Sequence, residues 1–207
     1  TATHFGSFDM LPEKCQRGTN KKTCKKKRRQ ITHHVTFVSP QAFRGQTLQY
    51  TDVYLTPYGP AFIAACDRDI VFWGFCSKAE AGGLRDALKQ KWHNATWQAA
   101  PEAVGALAKN ARAAPARLAL AGTPFQHSVW QKLLDIPQGH VTSYKGLADE
   151  LNSAPRATGG AVGANPVSLL VPCHRVLAAD KRLNGYRWGL EVKARILAAE
   201  GAIFRQA

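Results

Sequence analysis

The spacing of apolar residues changes near residue 77, and this change limits the possible folds more than any other feature. Before it, three short apolar runs are separated by turn residues, which predicts strands over residues 50–56, 61–66 and 70–75. Beyond it, apolar side chains recur three and four positions apart, as on helices that bury one face. We therefore predict an α+β fold: a small antiparallel sheet with helices in the N-terminal half, and a helical C-terminal half.

Helix start and stop signals place the individual helices. Ser77 and Glu80 have the spacing of a capping box, and Ser143 is a suitable N-cap residue. The helices predicted in this way cover residues 78–92, 101 to about 112, 144 to about 151 and 189–200, with one more through Phe125, Val129 and Leu133 and a last strand at 118–120.

Positive charge is concentrated in the first quarter of the chain. The sequence has 28 Lys and Arg against 14 Asp and Glu, a net charge of +14, and residues 1–49 hold ten of these basic and two of these acidic residues. The basic run at 21–29 repels its own compaction, so we expect residues 1–48 to form a basic, disordered tail. Such a run is typical of a solvated tail, of a nucleic-acid-binding arm and of a nuclear-import signal. The rest divides into a small α/β domain over 49–121 and a helical domain over 122–207.

Composition disfavours several classes of protein. The sequence has no run of about 18 uncharged apolar residues and does not open on a signal peptide, so we expect a soluble intracellular protein with no membrane partner. Its five cysteines are unevenly spaced, unlike a disulfide framework, and we expect reduced thiols. A zinc site would need Cys15, Cys24, His33 and His34, whose spacing is not the usual compact one. We predict neither a metal nor a cofactor.

A helix, a short turn and a thin second helix follow one another in the C-terminal half. Residues 156–164 have almost no bulky side chains, so a helix over them can approach another backbone or a DNA groove closely. With Arg156 at its start, this arrangement is typical of a helix-turn-helix that binds DNA. Helix pairs are common, however, and the pattern alone leaves DNA binding open.

The segment after the small-residue helix holds a candidate nucleophile. Pro172 precedes Cys173, which is followed by His174, Arg175 and Val176. Cationic surroundings lower the pKa of a cysteine and raise its thiolate fraction, so we expect a reactive thiol. The residues alone equally allow a core cysteine beside an exposed His and Arg, because neighbours in a strand point to opposite faces.

The C-terminal half carries an ordered series of short motifs: Gly122-Thr-Pro-Phe-Gln126, Val129-Trp130, Ile136-Pro137-x-Gly139, Ser143-Tyr144, Leu147-Ala148, Arg156-Ala157, Asn165-Pro166, Pro172-Cys-His-Arg-Val176, Gly185-Tyr-Arg-Trp-Gly189, Lys193 and Glu200. This series resembles the O6-alkylguanine-DNA alkyltransferases, also called methylated-DNA–protein-cysteine methyltransferases, and in style the C-terminal half of the bacterial adaptive-response protein. The resemblance covers residues 120–201 strongly and residues 50–120 loosely. It makes residues 122–207 a DNA-binding and catalytic alkyltransferase domain.

The resemblance implies a DNA repair enzyme that acts once. Cys173 would take the methyl or other alkyl group from O6-methylguanine irreversibly, with O4-methylthymine as a further candidate substrate. His174, oriented by Glu200, would remove the Cys173 proton through a water. Tyr144 would donate a proton to the departing guanine. No cofactor takes part in this reaction.

The same resemblance implies a pocket for a flipped base. Val176, Tyr186 and the backbone around Arg187 would line it, and Asn165 would form the hinge between the small-residue helix and the site. Trp188 near the pocket favours methyl over bulky groups. The base must leave the stack because an in-line attack on its alkyl carbon is impossible inside the duplex.

Duplex DNA containing O6-alkylguanine is the implied partner, bound by a monomer through the minor groove. Arg156 would fill the vacated stack, and Ala157, Thr158 and Tyr144 would contact the DNA. The turn between Tyr144 and Arg156 is about two residues shorter than the family pattern, and Thr158 replaces an apolar residue. The four-cysteine zinc domain of the adaptive-response protein is absent from the sequence, so we predict no metal-switched regulatory role.

Two other functions stay open at this point. A lesion-binding module would hold the flipped base without reacting, and a DNA-binding regulator would bind a specific operator whatever residue stands at 173. The compartment is expected to be the cytoplasm in a bacterium and the nucleus in a eukaryote.

Overall fold

The computed structural model describes residues 31–206, and its N-terminal half is built on a six-stranded sheet. The strands are β1 (His34–Val38), β2 (Thr47–Thr56), β3 (Gly59–Cys66), β4 (Asp69–Phe75), β5 (Thr96–Ala99) and β6 (Arg117–Ala121). Their order in the sheet is β1-β6-β4-β3-β2-β5. Two helices accompany them, α1 (Lys78–Lys91) and α2 (Pro101–Ala111).

The C-terminal half is mainly helical, as predicted. Its helices are α3 (Pro124–Leu134), α4 (Tyr144–Glu150), α5 (Pro155–Gly163) and α6 (Leu190–Glu200), with a single 3-10 turn at Cys173–Arg175. Two short parallel strands, β7 (Thr142–Ser143) and β8 (Val176–Leu177), join the start of α4 to the chain after that turn. The α+β class and the predicted helices are confirmed, including the capping box of Ser77 with Glu80.

The sheet is larger than predicted and mixed. β2 with β3 and β3 with β4 are antiparallel, as a meander requires, but β1 with β6, β4 with β6 and β2 with β5 are parallel. Both strands that the sequence pattern missed, β1 and β5, lie at the edges of the sheet. β1 has five residues and β5 has four, so neither is long enough for its pattern to stand out in the sequence.

The predicted boundary of the tail at residue 48 is wrong. Residues 34–38 form β1, in register with β6 from His34 opposite Arg117 to Val38 opposite Ala121. Val35 and Phe37 pack against the main core, which outweighs the charge of the preceding run. Residues 1–30, where the rest of the tail prediction falls, lie outside the described residues.

The two faces of the sheet bury different cores. Phe62 and Phe72 point to one face and pack with Leu88 of α1 and with Trp92. Neighbouring side chains alternate, so Ile63 and Trp73 point to the other face, against α2 and the buried side of the C-terminal half (Trp130, Leu133, Leu147, Val171, Ile196). The halves are thus joined by one continuous core.

Strand β4 also bonds directly to the chain that leads to the 3-10 turn. The Trp73 amide donates to the Pro166 carbonyl at 2.9 Å, and the Ser168 amide donates to the Trp73 carbonyl at 2.9 Å. The sheet therefore holds residues 166–168 in place. Within residues 31–206 no helix is long and apolar enough to cross a membrane.

Candidate active site

The 3-10 turn places Cys173 at the wall of a small cavity. Pro172 precedes the turn, and the Cys173 side chain is buried, with 6% of the residue exposed. The cavity has a volume of about 20 Å³ and lies between α4, the end of α5, residues 165–168 and the loop 185–188. A cavity needs about 10–15 Å³ to hold one water. The cavity at Cys173 is therefore too small for a purine base in the observed conformation.

The Cys173 thiol is protonated in this closed state. Burial raises its pKa, and this effect outweighs hydrogen bonds with Asn165, Ser168 and Tyr186 and the nearby charge of Lys193, which all favour the thiolate. The expectation of a lowered pKa is therefore wrong. It rested on His174 and Arg175, but the imidazole is neutral because burial lowers its pKa, and the guanidinium pairs with Glu200.

Glu200, at the end of α6, is shared between His174 and Arg175. Nε and Nη2 of Arg175 donate to Oε2 and Oε1 of Glu200 at 2.9 and 2.7 Å, and Nε2 of His174 lies 3.2 Å from Oε1. A third arm, Nη1 of Arg175, donates to the Ile136 carbonyl at 2.5 Å. Bidentate pairing of this kind fixes the carboxylate in both position and orientation.

The charge states of this trio follow from their burial. Burial alone would raise the pKa of Glu200, but hydrogen bonds from His174 and Arg175 outweigh it and lower the pKa to about 2. Burial lowers the pKa of His174 despite the contact with Glu200. At neutral pH the carboxylate is therefore balanced by Arg175, and the imidazole is neutral.

The tautomer of His174 follows from the same contacts. An ionised Glu200 can only accept, so Nε2 carries the imidazole proton and Nδ1 carries a lone pair. Nδ1 is buried and has no hydrogen-bond partner within residues 31–206. The site thus contains a neutral imidazole base next in sequence to the thiol, oriented by a carboxylate.

Tyr144, the first residue of α4, closes the cavity from the other side. Its hydroxyl donates to the Gly185 carbonyl at 3.2 Å, which links α4 to the loop 185–188. Burial, together with the proximity of Cys173, raises the pKa of Tyr144 to about 12. The phenol is therefore protonated at any physiological pH and can act as a donor.

Asn165 shapes the chain between α5 and the 3-10 turn. Its Nδ2 donates to the Val171 carbonyl at 2.8 Å, and its Oδ1 accepts from the Val167 amide at 3.0 Å. The amide side chain thus spans the bend at 166–171 that brings Cys173 back toward α5. This placement fits the hinge position expected for Asn165.

Lys193 of α6 is fully buried and holds the opposite side of the cavity. Its Nζ donates to the carbonyls of Val176, Asn184 and Gly185 at 2.7, 2.8 and 3.4 Å. Burial lowers its pKa to about 8, although the nearby Cys173 acts in the opposite sense. Lys193 therefore ties β8 to the loop that carries Tyr186.

Four of the five residues predicted to form the pocket border the cavity, and Asn165 is one of them. Tyr186, Arg187 and Trp188 border the cavity. Val176 does not, because it lies in β8, fully buried behind the 3-10 turn, where its carbonyl accepts from Lys193. The prediction for Val176 is wrong since β8 turns its side chain into the core.

The helix-turn-helix is formed by α4, a turn at 151–154 and α5. Arg156 and Ala157 are exposed at the start of α5, where they are accessible to DNA. Thr158 is fully buried, so its predicted DNA contact is wrong. Within this turn Asn152 has a positive φ of 48°. On its inner side α5 is held by Trp130, whose Nε1 donates to the Ala161 carbonyl at 2.9 Å.

Sequence reasoning assigned no role to Ser168, Lys193 or the Glu200-binding side chain of Arg175. Ser168 carries no motif signal, since its place at the cavity depends on the hydrogen bonds of 166–168 to β4. A lysine between Val192 and Ala194 on an otherwise apolar helix face was the available signal for Lys193, because a buried ammonium needs several acceptors. His34 lies in β1, whereas Cys15 and Cys24 lie outside the described residues.

Comparison with known proteins shows the family to which this chain belongs. Residues 124–202 match the family model described as 6-O-methylguanine DNA methyltransferase, DNA binding domain. A methylated-DNA–protein-cysteine methyltransferase of Methanosarcina acetivorans is 31% identical over 158 residues, which are 74% of this chain and 99% of that protein. This chain belongs to the methylated-DNA–protein-cysteine methyltransferase family.

Other members of the family agree over a shorter or comparable part of the chain. The enzyme of that name from Candida albicans is 48% identical over 82 residues, 40% of this chain and 47% of that protein, so the chain spans about half the length of such relatives. A crystal structure of Mycobacterium tuberculosis OGT in complex with DNA has a TM-score of 0.58 at 29% identity, covering 75% of this chain and 92% of that one. The alkyltransferase resemblance and the fold are thus confirmed.

Proposed function

We propose that this protein repairs duplex DNA by moving the methyl group of O6-methylguanine irreversibly onto Cys173, with O4-methylthymine as a second substrate. The observation that carries the proposal is the neutral His174 imidazole, held by an ionised Glu200 and placed next in sequence to the only thiol that lines the cavity among the described residues. A base oriented by a carboxylate is the arrangement that activates a weak nucleophile.

The proposed reaction is a single displacement. The sulfur of Cys173 attacks the methyl carbon, a C–S bond forms, and the bond from that carbon to O6 breaks with its electron pair going to guanine. The thiol proton passes through a water to Nδ1 of His174. Tyr144, protonated because its pKa is about 12, gives a proton to the guanine ring, so the leaving group departs neutral. Tyr144 then regains a proton from solvent and His174 releases one, so overall the thiol proton is replaced by methyl and the base exchanges its methyl for a proton.

Entry of the base requires the cavity to open. The observed volume of about 20 Å³ admits a water but not guanine, and the Tyr144–Gly185 hydrogen bond spans the cavity. Breaking that bond frees the Tyr144 hydroxyl for the incoming base. We propose that the base is flipped out of the duplex, that Arg156 fills its place in the stack, and that one protein molecule acts on each lesion.

The test is a product analysis of the DNA. A duplex with one O6-methylguanine is incubated with increasing protein, and guanine is measured after digestion to nucleosides. We expect guanine to appear in an amount equal to the protein added, and Cys173→Ala to bind the duplex without producing guanine. Lesion binding without conversion by the unchanged protein would favour a lesion-binding module. Binding that depends on sequence but not on the lesion would favour a regulator.

A further inference from the structure

One glycine of the N-terminal half, Gly74, lies against Trp188, which borders the cavity at Cys173. We propose that Gly74 of β4 is a positioning residue that limits the size of the transferred group, because it leaves room for the Trp188 indole to lie against the sheet. The proposal rests on the alkyl transfer proposed above.

Gly74 lies under the indole with no space for a side chain. A Cβ built on Gly74 would come 2.8 Å from Cζ2 of Trp188 and 2.8 Å from Cε1 of Phe72, and still closer to Cη2 of Trp188. Carbon atoms pack at about 3.5–4.0 Å, so any other residue at this position would force the indole off the strand. The backbone of Gly74 is not in the left-handed region, so the contact, not the backbone conformation, requires glycine.

A glycine inside this buried strand lowers the stability of the fold. Gly74 lies between Trp73 and Phe75 in a buried strand, opposite Phe62 of β3. Glycine weakens a strand interior because it adds conformational entropy to the unfolded chain and provides no side chain to pack. Its presence there is explained by the close approach of Trp188.

Trp188 is fixed in this position from three sides. Its Nε1 donates to Oγ of Ser168, and its ring packs edge-on against Phe72 at 6.0 Å and 85°. The Arg187 guanidinium lies 4.9 Å from the ring centre on the indole. Ser168 is in turn held by β4 through the Trp73 carbonyl. The contact of Trp188 with Gly74 and its hydrogen bond with Ser168 therefore both depend on β4.

The indole is a partition between two spaces. On one side lies the cavity of about 20 Å³ at Cys173, and on the other lies an open groove of about 560 Å³ between β4, α1 and α6. Trp188 and Arg187 border both. A methyl group on O6 needs little room at Cys173, whereas a benzyl group needs the space that the indole closes off. Displacing the indole joins that space to the groove.

The experiment measures single-turnover transfer to Cys173 from duplexes that carry O6-methylguanine or O6-benzylguanine. The variants are Gly74→Ala, Trp188→Gly and the double variant. The control is Gly83→Ala on α1, where an added Cβ meets nothing within 4 Å. We expect the benzyl-to-methyl rate ratio to rise at least tenfold in Trp188→Gly, to rise severalfold in Gly74→Ala, and to be the same in the double variant as in Trp188→Gly. Gly83→Ala should keep the original ratio.

Two results would overturn the proposal. One is a folded Gly74→Ala protein with the ratio of Gly83→Ala. The other is a Gly74→Ala effect of equal size with and without Trp188, since the glycine would then act by another route.

Thermal unfolding tests the contact independently of transfer. Gly74→Ala should lower the unfolding midpoint, and Trp188→Gly in the same chain should remove the part of that loss that the indole causes, while the 2.8 Å approach to Cε1 of Phe72 remains. An undiminished loss in the double variant contradicts the contact even where Gly74→Ala is too unstable to assay. If the unchanged protein accepts neither group, the proposed function fails, whereas the unfolding experiment still reports on Gly74.

Discussion

At the scale of single residues, the site is organised by a buried carboxylate that serves two partners. Glu200 is ionised because Arg175 pairs with it in a bidentate manner, and this charge in turn fixes the proton of His174 on Nε2. The thiol itself is held neutral by burial. In the proposed mechanism the thiolate forms only when the imidazole accepts its proton, so the resting thiol should react slowly with other electrophiles.

Glu200 should dominate the acid sensitivity of the folded protein. Its pKa is about 2 when folded against an ordinary 4.5, so the unfolded chain binds the extra proton as the pH falls. The carboxylate contributes about 3 kcal/mol of stability above pH 4.5, which is lost progressively toward pH 2. Urea unfolding of Glu200→Gln as a function of pH should lack this loss. If the free energy of unfolding of Glu200→Gln fell as steeply with decreasing pH, another group would be responsible for the acid sensitivity.

Residue identities were easier to predict than side-chain directions. Cys173, His174, Glu200 and Tyr144 follow from motifs in register, and the structure places all four around one turn. Thr158 was predicted to contact DNA and Val176 to line the pocket, but both side chains are fully buried. Which face of a short helix or strand is buried depends on the tertiary packing, and a nine-residue helix of small side chains has almost no periodic signal of its own.

At the scale of elements, helix α5 is positioned by contacts on its inner side. Trp130 of α3 donates to the Ala161 carbonyl, while the Tyr144 ring lies under Gly159, so α5 is held by α3 and α4 and exposes Arg156 and Ala157. Caps at Ser77 and Ser143 made the starts of α1 and α4 predictable, whereas β1 and β5 form only through contacts with distant strands.

Arg156→Ala should separate duplex repair from the chemistry at Cys173. We expect transfer from duplex O6-methylguanine to slow at least tenfold, while transfer from the free base changes less than twofold, because only the duplex needs a side chain to fill the stack. Single-turnover rates on both substrates provide the measurement, with the exposed Arg182→Ala as the control. Equal slowing on both substrates would contradict the role of Arg156.

Trp130→Phe should weaken the attachment of α5 to α3, because Trp130 is buried and supports α5 from its inner side. The change removes the donor to the Ala161 carbonyl inside a buried contact, and we expect a loss of about 1–3 kcal/mol in unfolding free energy. Denaturant titration measures it. An unchanged midpoint together with an unchanged slope would show that the bond does not hold the helix.

At the scale of the whole molecule, the sheet and the helical half act as one support for the site. β4 is central to this arrangement, since it pairs with β3 and β6, bonds to residues 166–168 and seats the Trp188 indole. Sequence spacing predicted the strand within a meander, but not its contacts with residues 166–168 and Trp188, because these join residues about a hundred positions apart.

The basic N-terminal segment should add affinity without adding stability. Residues 1–30 hold nine basic and two acidic residues, a net charge of +7, and precede β1. Removing them should weaken duplex binding and flatten the dependence of log Kd on log salt, because fewer counterions are released. The unfolding midpoint of residues 31–207 should stay unchanged. Fluorescence anisotropy at several salt concentrations gives the slope, and an unaltered slope would exclude the segment from the DNA interface.

Methyl transfer to Cys173 is tested most directly by the mass of the intact protein after incubation with a duplex that carries one O6-methylguanine. We predict a single gain of about 14 Da per molecule, the mass of one methylene, located on Cys173 by peptide mapping and absent from Cys173→Ser. Excess duplex should not increase it. No gain despite tight binding, or a gain at another residue, would contradict transfer to Cys173.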